Sequence, residues 1–284
     1  MQLEKLLIKI NNLFPPETAA VDDRIGLQIQ TDEQIVNGVL FVLEVTDEVI
    51  NECISKNFNT IISFHPLIYS KLSVISLTER VGRLCSKLIK NSINLISIHT
   101  TFDVYEYGTS KILSDLLELN YQSFLVPDKI KSNCGMGVIS VPDRKITTLE
   151  LVSKINEVCY SPIRFSGKDD IELKKIAIVG GSGTSFISDV IANRCDCFIT
   201  ADSTYHQFHS ATDNFVLIDV GHYEMEQFVP AGIARTMSDF LVEKKINYSV
   251  SNILTNPINY YPKNDFLIKQ KNYLSLKKNI LREY

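Results

Sequence analysis

The 284-residue sequence predicts an α/β fold made of two similar lobes of mostly parallel sheet flanked by helices. Three observations carry that expectation. Strand-like and helix-like segments alternate along the chain, as βαβ units with right-handed crossovers require. Residues 38–65 and 175–202 share one strand–helix–strand order, which reads as an internal repeat. Each copy then continues into a further helix and strand, Glu79 to Lys90 with NLISIHTTFD and Thr204 to Ala211 with FVLIDVGHYEME.

The first element is a helix. In MQLEKLLIKINNLF the apolar residues Leu3, Leu6, Leu7, Ile10 and Phe14 fall at helical spacing, and Glu4 and Lys5 interrupt the continuous apolar core of a signal peptide. Pro15 and Pro16 end it, and packing on the body of the protein is favoured over a membrane anchor. No apolar run reaches the roughly 18–20 residues that span a bilayer.

In the first repeat, Val39 to Val45 is a buried strand, and Thr46 or Asp47 caps a helix with Val49, Ile50, Cys53 and Ile54 on one face. Thr60 to Phe64 is a second strand, ending on His65. The second repeat has a strand at Ile176 to Val179, a helix from about Ser185, and a strand at Cys197 to Thr200 ending on Asp202. Between the copies lie the strand-like GMGVISV and the helix-like TLELVSKINEV, read as a connecting part of the second lobe. After Asn256-Pro257 the polar, basic KQKNYLSLKKNILREY reads as a terminal helix or arm with a solvated face. The expected divisions are 1–128 for the first lobe, 129–262 for the second and 263–284 for the arm.

Composition bounds the function. A chain 45% hydrophobic and 22% charged is globular, and a net charge of −4 argues against a generic nucleic-acid binder. Neither membrane nor nucleic acid is an expected partner, and a cytoplasmic location is expected. Six cysteines occur without a C-x-x-C pair. Cys195 and Cys197 should share a face and could hold a soft metal, but buried reduced thiols are the simpler account.

The five histidines are His65, His99, His206, His209 and His222, and each follows a predicted strand or opens the turn or helix after it. Asp103 lies four residues after His99, Asp202 four before His206, and Glu226 four after His222. That separation on a helical turn puts two side chains on one face, so His222 and Glu226 could grip one ion. Imidazole and carboxylate donors suit Zn, Fe or Mn better than Ca or Mg, and a carboxylate can bridge two ions. Ligands of open parallel sheets bind beyond the carboxyl ends of strands. The expectation is a divalent-metal site in the cleft between the lobes. Gly180, Gly181 and Gly183 follow a strand as a phosphate-cradling turn would, although GGSGTS lacks the dinucleotide spacing and the P-loop Lys. A tight strand–helix turn is the other reading.

The set FHPLIY, IHTTFDV, GGSG, FITADSTYH and IDVGHYEME resembles the dinuclear-metal proteins known as GTP cyclohydrolase 1 type 2 homologues, the NIF-three-like family. The motifs occur in the family's order from about Asp23 to Thr255. The resemblance implies a two-lobed fold, assembly into a homohexamer, and one or two divalent metals per subunit. It implies His65 and Asp103 as ligands of one metal, His222 as a ligand of a second, and Glu226 as the bridge between them. The family carries two adjacent histidines before the Pro, and here the first is Phe64. A second site is then weaker, empty, or completed by water or a group such as His99. The family's D-W-D-N-x-G-L-like segment is altered to VDDRIGL, which is expected to concern packing more than chemistry. The function implied is metal-dependent hydrolysis of GTP, a related nucleotide or another small molecule. The alternative is a non-catalytic metal-binding or regulatory scaffold.

Overall fold

The computed structural model describes residues 1–129 and 131–260, which form two compact units. The first comprises Met1–Phe102 and Val229–Pro257, and the second Asp103–Phe228 with the stretch that begins at Ile258.

The chain opens with α1 (Leu3–Leu13), which buries Leu3, Leu6 and Ile10 on one face. It continues through β1 (Gly26–Ile29), β2 (Gly38–Val42), α2 (Asp47–Ser55), β3 (Thr60–Ser63), α3 (Arg80–Lys90), β4 (Asn94–Ser97) and the single turn α4 (Thr100–Asp103). Every residue of β2, β3 and β4 is buried, as expected for parallel strands covered on both faces. The Thr46 hydroxyl caps α2 by accepting from the Val49 N–H, and Asp47 and Glu48 sit in the first turn, where the helix dipole favours acids. Val49, Ile50 and Cys53 of α2 and Leu84, Cys85 and Leu88 of α3 pack with Leu40, Val42, Ile61 and Leu95 in one core. Ile54, expected on the buried face of α2, is 42% exposed.

The second unit contains α5 (Thr109–Leu116), β5 (Leu119–Pro127), β6 (Gly135–Pro142), β7 (Ile146–Thr147), α6 (Thr148–Cys159), β8 (Arg164–Phe165) and β9 (Glu172–Leu173). The second repeat follows as β10 (Ile176–Ile178), α7 (Ile187–Ala192), β11 (Cys197–Thr200), α8 (Tyr205–Ala211), β12 (Val216–Asp219) and α9 (His222–Glu226). Its sheet has the order β5-β6-β10-β11-β12-β8, and β7 and β9 form a separate ribbon. Ala177, Phe198 and Leu217 from the sheet pack with Val190, Ala211 and Phe215. The chain then returns to the first unit with α10 (Val229–Glu243) and β13 (Asn247–Val250), completing a sheet of order β1-β4-β3-β2-β13.

The repeat is thus seen as β2-α2-β3-α3-β4 and β10-α7-β11-α8-β12, each with three consecutive parallel strands. The first sheet is mostly parallel, with only β1 against β4 antiparallel. The second is mixed, because β6 pairs antiparallel with both β5 and β10, and β8 antiparallel with β12. For β5 and β6 the reason is loop length: the short link between them allows a hairpin and not a crossover. That hairpin straddles the division expected after residue 128, and residues 229–257 rejoin the first sheet. The expected arm, 263–284, lies outside the described residues. Among the described residues no helix is long and apolar enough to cross a membrane.

Ile50, fully buried, and Ile54, on the outer face of the same helix, make a paired test. In urea denaturation Ile50→Ala should cost about 2–5 kcal/mol. Ile54→Ala should stay within about 0.5 kcal/mol of wild type.

Candidate metal centre

Register places the polar residues at the strand exits. In the first sheet Val42, Ser63 and Ser97 are in line across β2, β3 and β4. Two residues further along each strand stand Glu44, His65 and His99. Backbone pairing continues to this level, with His65 N–H donating to the Leu43 carbonyl (3.0 Å) and His99 N–H to the Phe64 carbonyl (3.0 Å). His65 Nδ1 lies 2.8 Å from Glu44 Oε1. An ionised carboxylate only accepts, so Nδ1 carries a proton.

His99 repeats the arrangement. Its Nδ1 lies 2.6 Å from Asp23 Oδ1, and Asp23 also accepts from the Thr100 N–H (3.2 Å) and the Arg24 N–H (2.7 Å). The Asp23 side chain is 3% exposed. Burial alone would raise its pKa, but the hydrogen bonds from His99 and Thr100 outweigh burial and hold it at about 2. Phe64 is a core residue, 1% exposed, with its ring centroid 4.8 Å from that of His65 and 5.6 Å from that of His99.

In the second sheet Thr200 and Asp219 are in line across β11 and β12, and two residues beyond them stand Asp202 and Gly221. Both adopt left-handed backbone conformations (φ +56° and +91°), as does His99 (φ +41°), so the chain turns sharply where it leaves the strand. His222 opens α9 directly after Gly221. Its Nδ1 is 2.6 Å from Asp202 Oδ2 and its Nε2 3.1 Å from Glu226 Oε2, with Glu226 buried. Burial alone would favour the neutral ring, but Glu226 and then Asp202 outweigh it and hold the imidazole protonated up to about 9.

The glycine turn forms a wall of this group. Gly181 has φ +63°, and a Cβ there would lie 2.5 Å from Glu226 Oε1 and 3.2 Å from His222 Nε2. A Cβ on Gly180 would have Asp103 Oδ1 3.9 Å away. The Thr200 hydroxyl pins the turn by accepting from the Gly183 N–H (2.8 Å) and donating to the Gly181 carbonyl (2.9 Å). Glycines facing two carboxylates do not make a phosphate cradle; the close approach to Glu226 requires glycine at 181, and the close approach of Thr109 requires it at 180. Asp103 itself accepts from the Thr109 hydroxyl at 2.6 Å.

Of the predicted donors, His222 and Glu226 stand together on α9, while His65 stands at the exit of β3 in the first unit and Asp103 at the start of the second. His206 and His209 are exposed on α8, where Tyr205 packs edge-on against both rings. Sequence reading set Asp202 beside His206, whereas its partner in the structure is His222. Glu44, Asp23 and Asp202 were not singled out as the groups that orient the histidines. A signal was present for Glu44, the one acid in the apolar run VLFVLEV. Asp23 lies in the segment expected to concern packing, and its carboxylate instead holds His99. The six cysteines are free and buried. Burial pushes the Cys195 thiol up to about 11 and Cys197 well above its ordinary value, which favours inert thiols over a soft-metal pair.

The donors fit a divalent transition ion. They are imidazole and carboxylate, each ring is oriented by a carboxylate on its other nitrogen, and the turn over His222 and Glu226 has no room for a side chain. Fold and donors together define a mixed α/β protein with a candidate divalent-metal centre at the ends of parallel strands.

Comparison with known proteins identifies the family and supports the fold. The family model Duf34/NIF3 (NGG1p interacting factor 3) matches residues 1–257. The chain is 29% identical over 262 residues to a GTP cyclohydrolase 1 type 2 homolog of Clostridium perfringens, covering 92% of this chain and 100% of that one. It is 30% identical over 226 residues to a protein of the same name from Clostridium acetobutylicum, covering 78% and 84%. Among solved structures, a Staphylococcus aureus hypothetical protein superposes with a TM-score of 0.85 at 29% identity, covering 92% of this chain and 99% of that one. A Bacillus cereus protein related to NIF3 shares the fold, with a TM-score of 0.82 at 22% identity over 92% and 99%. The chain belongs to the Duf34/NIF3 family.

Asp202→Asn keeps the size of the side chain but weakens the hold on His222 Nδ1. Metal affinity, measured by competition with a chelator, should fall about 10–100-fold. Gly181→Ala puts a methyl group against Glu226 on a left-handed backbone, and should abolish tight metal binding in the same titration.

Proposed function

We propose that this protein binds a divalent metal, Zn, Fe or Mn, through His65, Asp103, His222 and Glu226, and hydrolyses GTP, a related nucleotide or another small molecule. The observation that carries the reading is the shared orientation of His65 and His222, each with Nδ1 on a carboxylate, together with the pairing of His222 Nε2 and Glu226 Oε2 at 3.1 Å. Such an ion, when bound, supplies Lewis acidity and makes water acidic enough to ionise near neutral pH. Glu44 and Asp202 hold the rings in one tautomer and one orientation, and Gly181 keeps the space beside His222 and Glu226 open. The name of the Clostridium relatives directs the first substrate to be tried, GTP. The resemblance adds a self-assembled homohexamer, and six buried free thiols suit a cytoplasmic setting.

Phe64 bears on stoichiometry. It is buried and cannot ligate, so a second ion lacks an imidazole that the family resemblance would place there. Elemental analysis of purified protein should find close to one tightly held ion per subunit. A second ion should be stripped by mild chelation, and Phe64→His should raise the stoichiometry. Two tight ions in the wild type, one lost on His99→Ala, would show that His99 has taken the role.

Asp103→Ala and Glu226→Ala should each lower both bound metal and melting temperature, since a ligand at about 100 times its Kd stabilises the native state by about 2.7 kcal/mol. Unchanged metal content in both variants would sink the ligand set. Turnover of GTP and a nucleotide panel by metal-loaded protein, absent in Glu226→Ala, would support the hydrolase. Full metal loading with no turnover would favour the scaffold. Light scattering should report a mass near six subunits, and a monomer would refute the assembly.

A further inference from the structure

We propose that Tyr260 is a positioning residue for the metal-bearing turn α9, acting through the buried carboxylate of Glu224. The proposal rests on the metal reading above. Residues four apart on a helix share a face, so His222 and Glu226 lie together while Glu224, midway between them, projects to the other side. Glu224 is 4% exposed. A carboxylate withdrawn from water in this way needs hydrogen-bond donors. The Tyr260 hydroxyl donates to Glu224 Oε1 at 3.0 Å. Burial, and then the Glu224 charge, push the phenol well above its ordinary value, so it stays a donor across the physiological range.

The surroundings show how closely the phenol is seated. A Cβ on Gly221, the residue before α9, would lie 2.4 Å from Glu224 Oε2 and 3.4 Å from the Tyr260 hydroxyl oxygen. Gly221 is therefore bare at the point where the Glu224 carboxylate folds back and the phenol arrives. On the other side, Asp219 fixes the strand exit. It accepts from the Gly221 N–H (3.1 Å), the Ser203 N–H (2.7 Å) and the Arg164 guanidinium (2.6 Å). The end of the turn is tied by Gln227, whose amide donates to the Glu224 carbonyl (2.7 Å) and to the Cys159 carbonyl (3.0 Å).

A five-residue helix has no stability of its own, so its orientation is set by what holds it. Asp202 holds the donor side through His222, and Tyr260 holds the far side through Glu224. Loss of the phenol hydroxyl removes the hold on Glu224 and lets the paired donors drift from the spacing an ion requires. Tyr260 also lies just beyond the residues matched by the family model, which end at 257. The hold on α9 thus comes from a stretch outside the matched region.

Tyr260→Phe removes the hydroxyl and keeps the ring. With full-length protein, Co2+ titration against a competing chelator should show affinity about tenfold weaker, the scale of one hydrogen bond to a charged group. The visible Co2+ band should shift, and the metal-loaded melting temperature should fall more than the metal-free one. Combined with Glu224→Ala, Tyr260→Phe should cause no further loss of affinity, because both changes break one bond. Unchanged Co2+ affinity and spectrum in Tyr260→Phe would overturn the proposal and leave the metal reading intact. So would equal falls in the two melting temperatures with affinity preserved, since that is a purely structural role. Wild-type protein that takes up no Co2+ would overturn both.

Discussion

A neutral imidazole donates from one nitrogen and accepts at the other, so whatever occupies the first decides the use of the second. In this protein that choice is made by in-register parallel strands. Val42, Ser63 and Ser97 lie level, and two residues on, the same level carries Glu44, His65 and His99. The Glu44–His65 bond is therefore a consequence of the strand register, and a shift of one residue would turn the side chains to opposite faces. The second repeat applies the same geometry, with Asp202 two residues past Thr200 and Gly221 two past Asp219. His222 comes one position later than this pattern, on the helical turn. Its four-residue separation from Glu226 can operate only there.

Left-handed backbone also occurs at the strand exits. A non-glycine residue in the left-handed region costs of order 1 kcal/mol, and His99 and Asp202 both adopt it at the level where their strands end. Each is held there by its side chain, His99 through Asp23 and Asp202 through His222. At Gly181 and Gly221 the same backbone is reached by glycine, and there the reason is space as well as conformation: added methyl groups would meet Glu226 and Glu224. At these four exits the left-handed residue is either held by its polar side chain or is a glycine beside a carboxylate.

Much of this was legible in the sequence. The repeat, the strand at Cys197–Thr200 and the Thr46 cap follow from local rules of β-branched runs, periodicity and capping. His65 and His222 stood out in the sequence because histidines gathered at strand exits, and Glu226 because it lies four residues after His222. The orienting carboxylates were not, since Asp23 meets His99 across 76 residues and Glu44 meets His65 across 21. Pairing over such separations depends on sheet order. The chain's return to the first sheet escaped notice for the same reason: β13 reads as a short isolated strand, and only its parallel pairing with β2 places it. The second sheet is mixed where a mostly parallel one was expected, because local patterning carries no strand direction; for β5 and β6 the short link decides it.

Charge explains why such an arrangement would favour a cation. Around His222 stand Asp202 and the buried Glu226, and the ring between them holds its proton to about 9. One positive ring between two carboxylates leaves a local deficit of one positive charge, part of it in a setting where burial makes unbalanced charge costly. A divalent ion that displaced the ring proton would bring two positive charges and release one, closing the deficit. In the metal reading the proton is thus the ion's competitor for Nε2, with Asp202 supporting the ring in either state. The neighbouring acids, Asp103 beside Gly180 and Glu224 on the far side of α9, add to the same negative field. Glu226 shares the face of His222, and so can both balance the ring and serve with it as a donor.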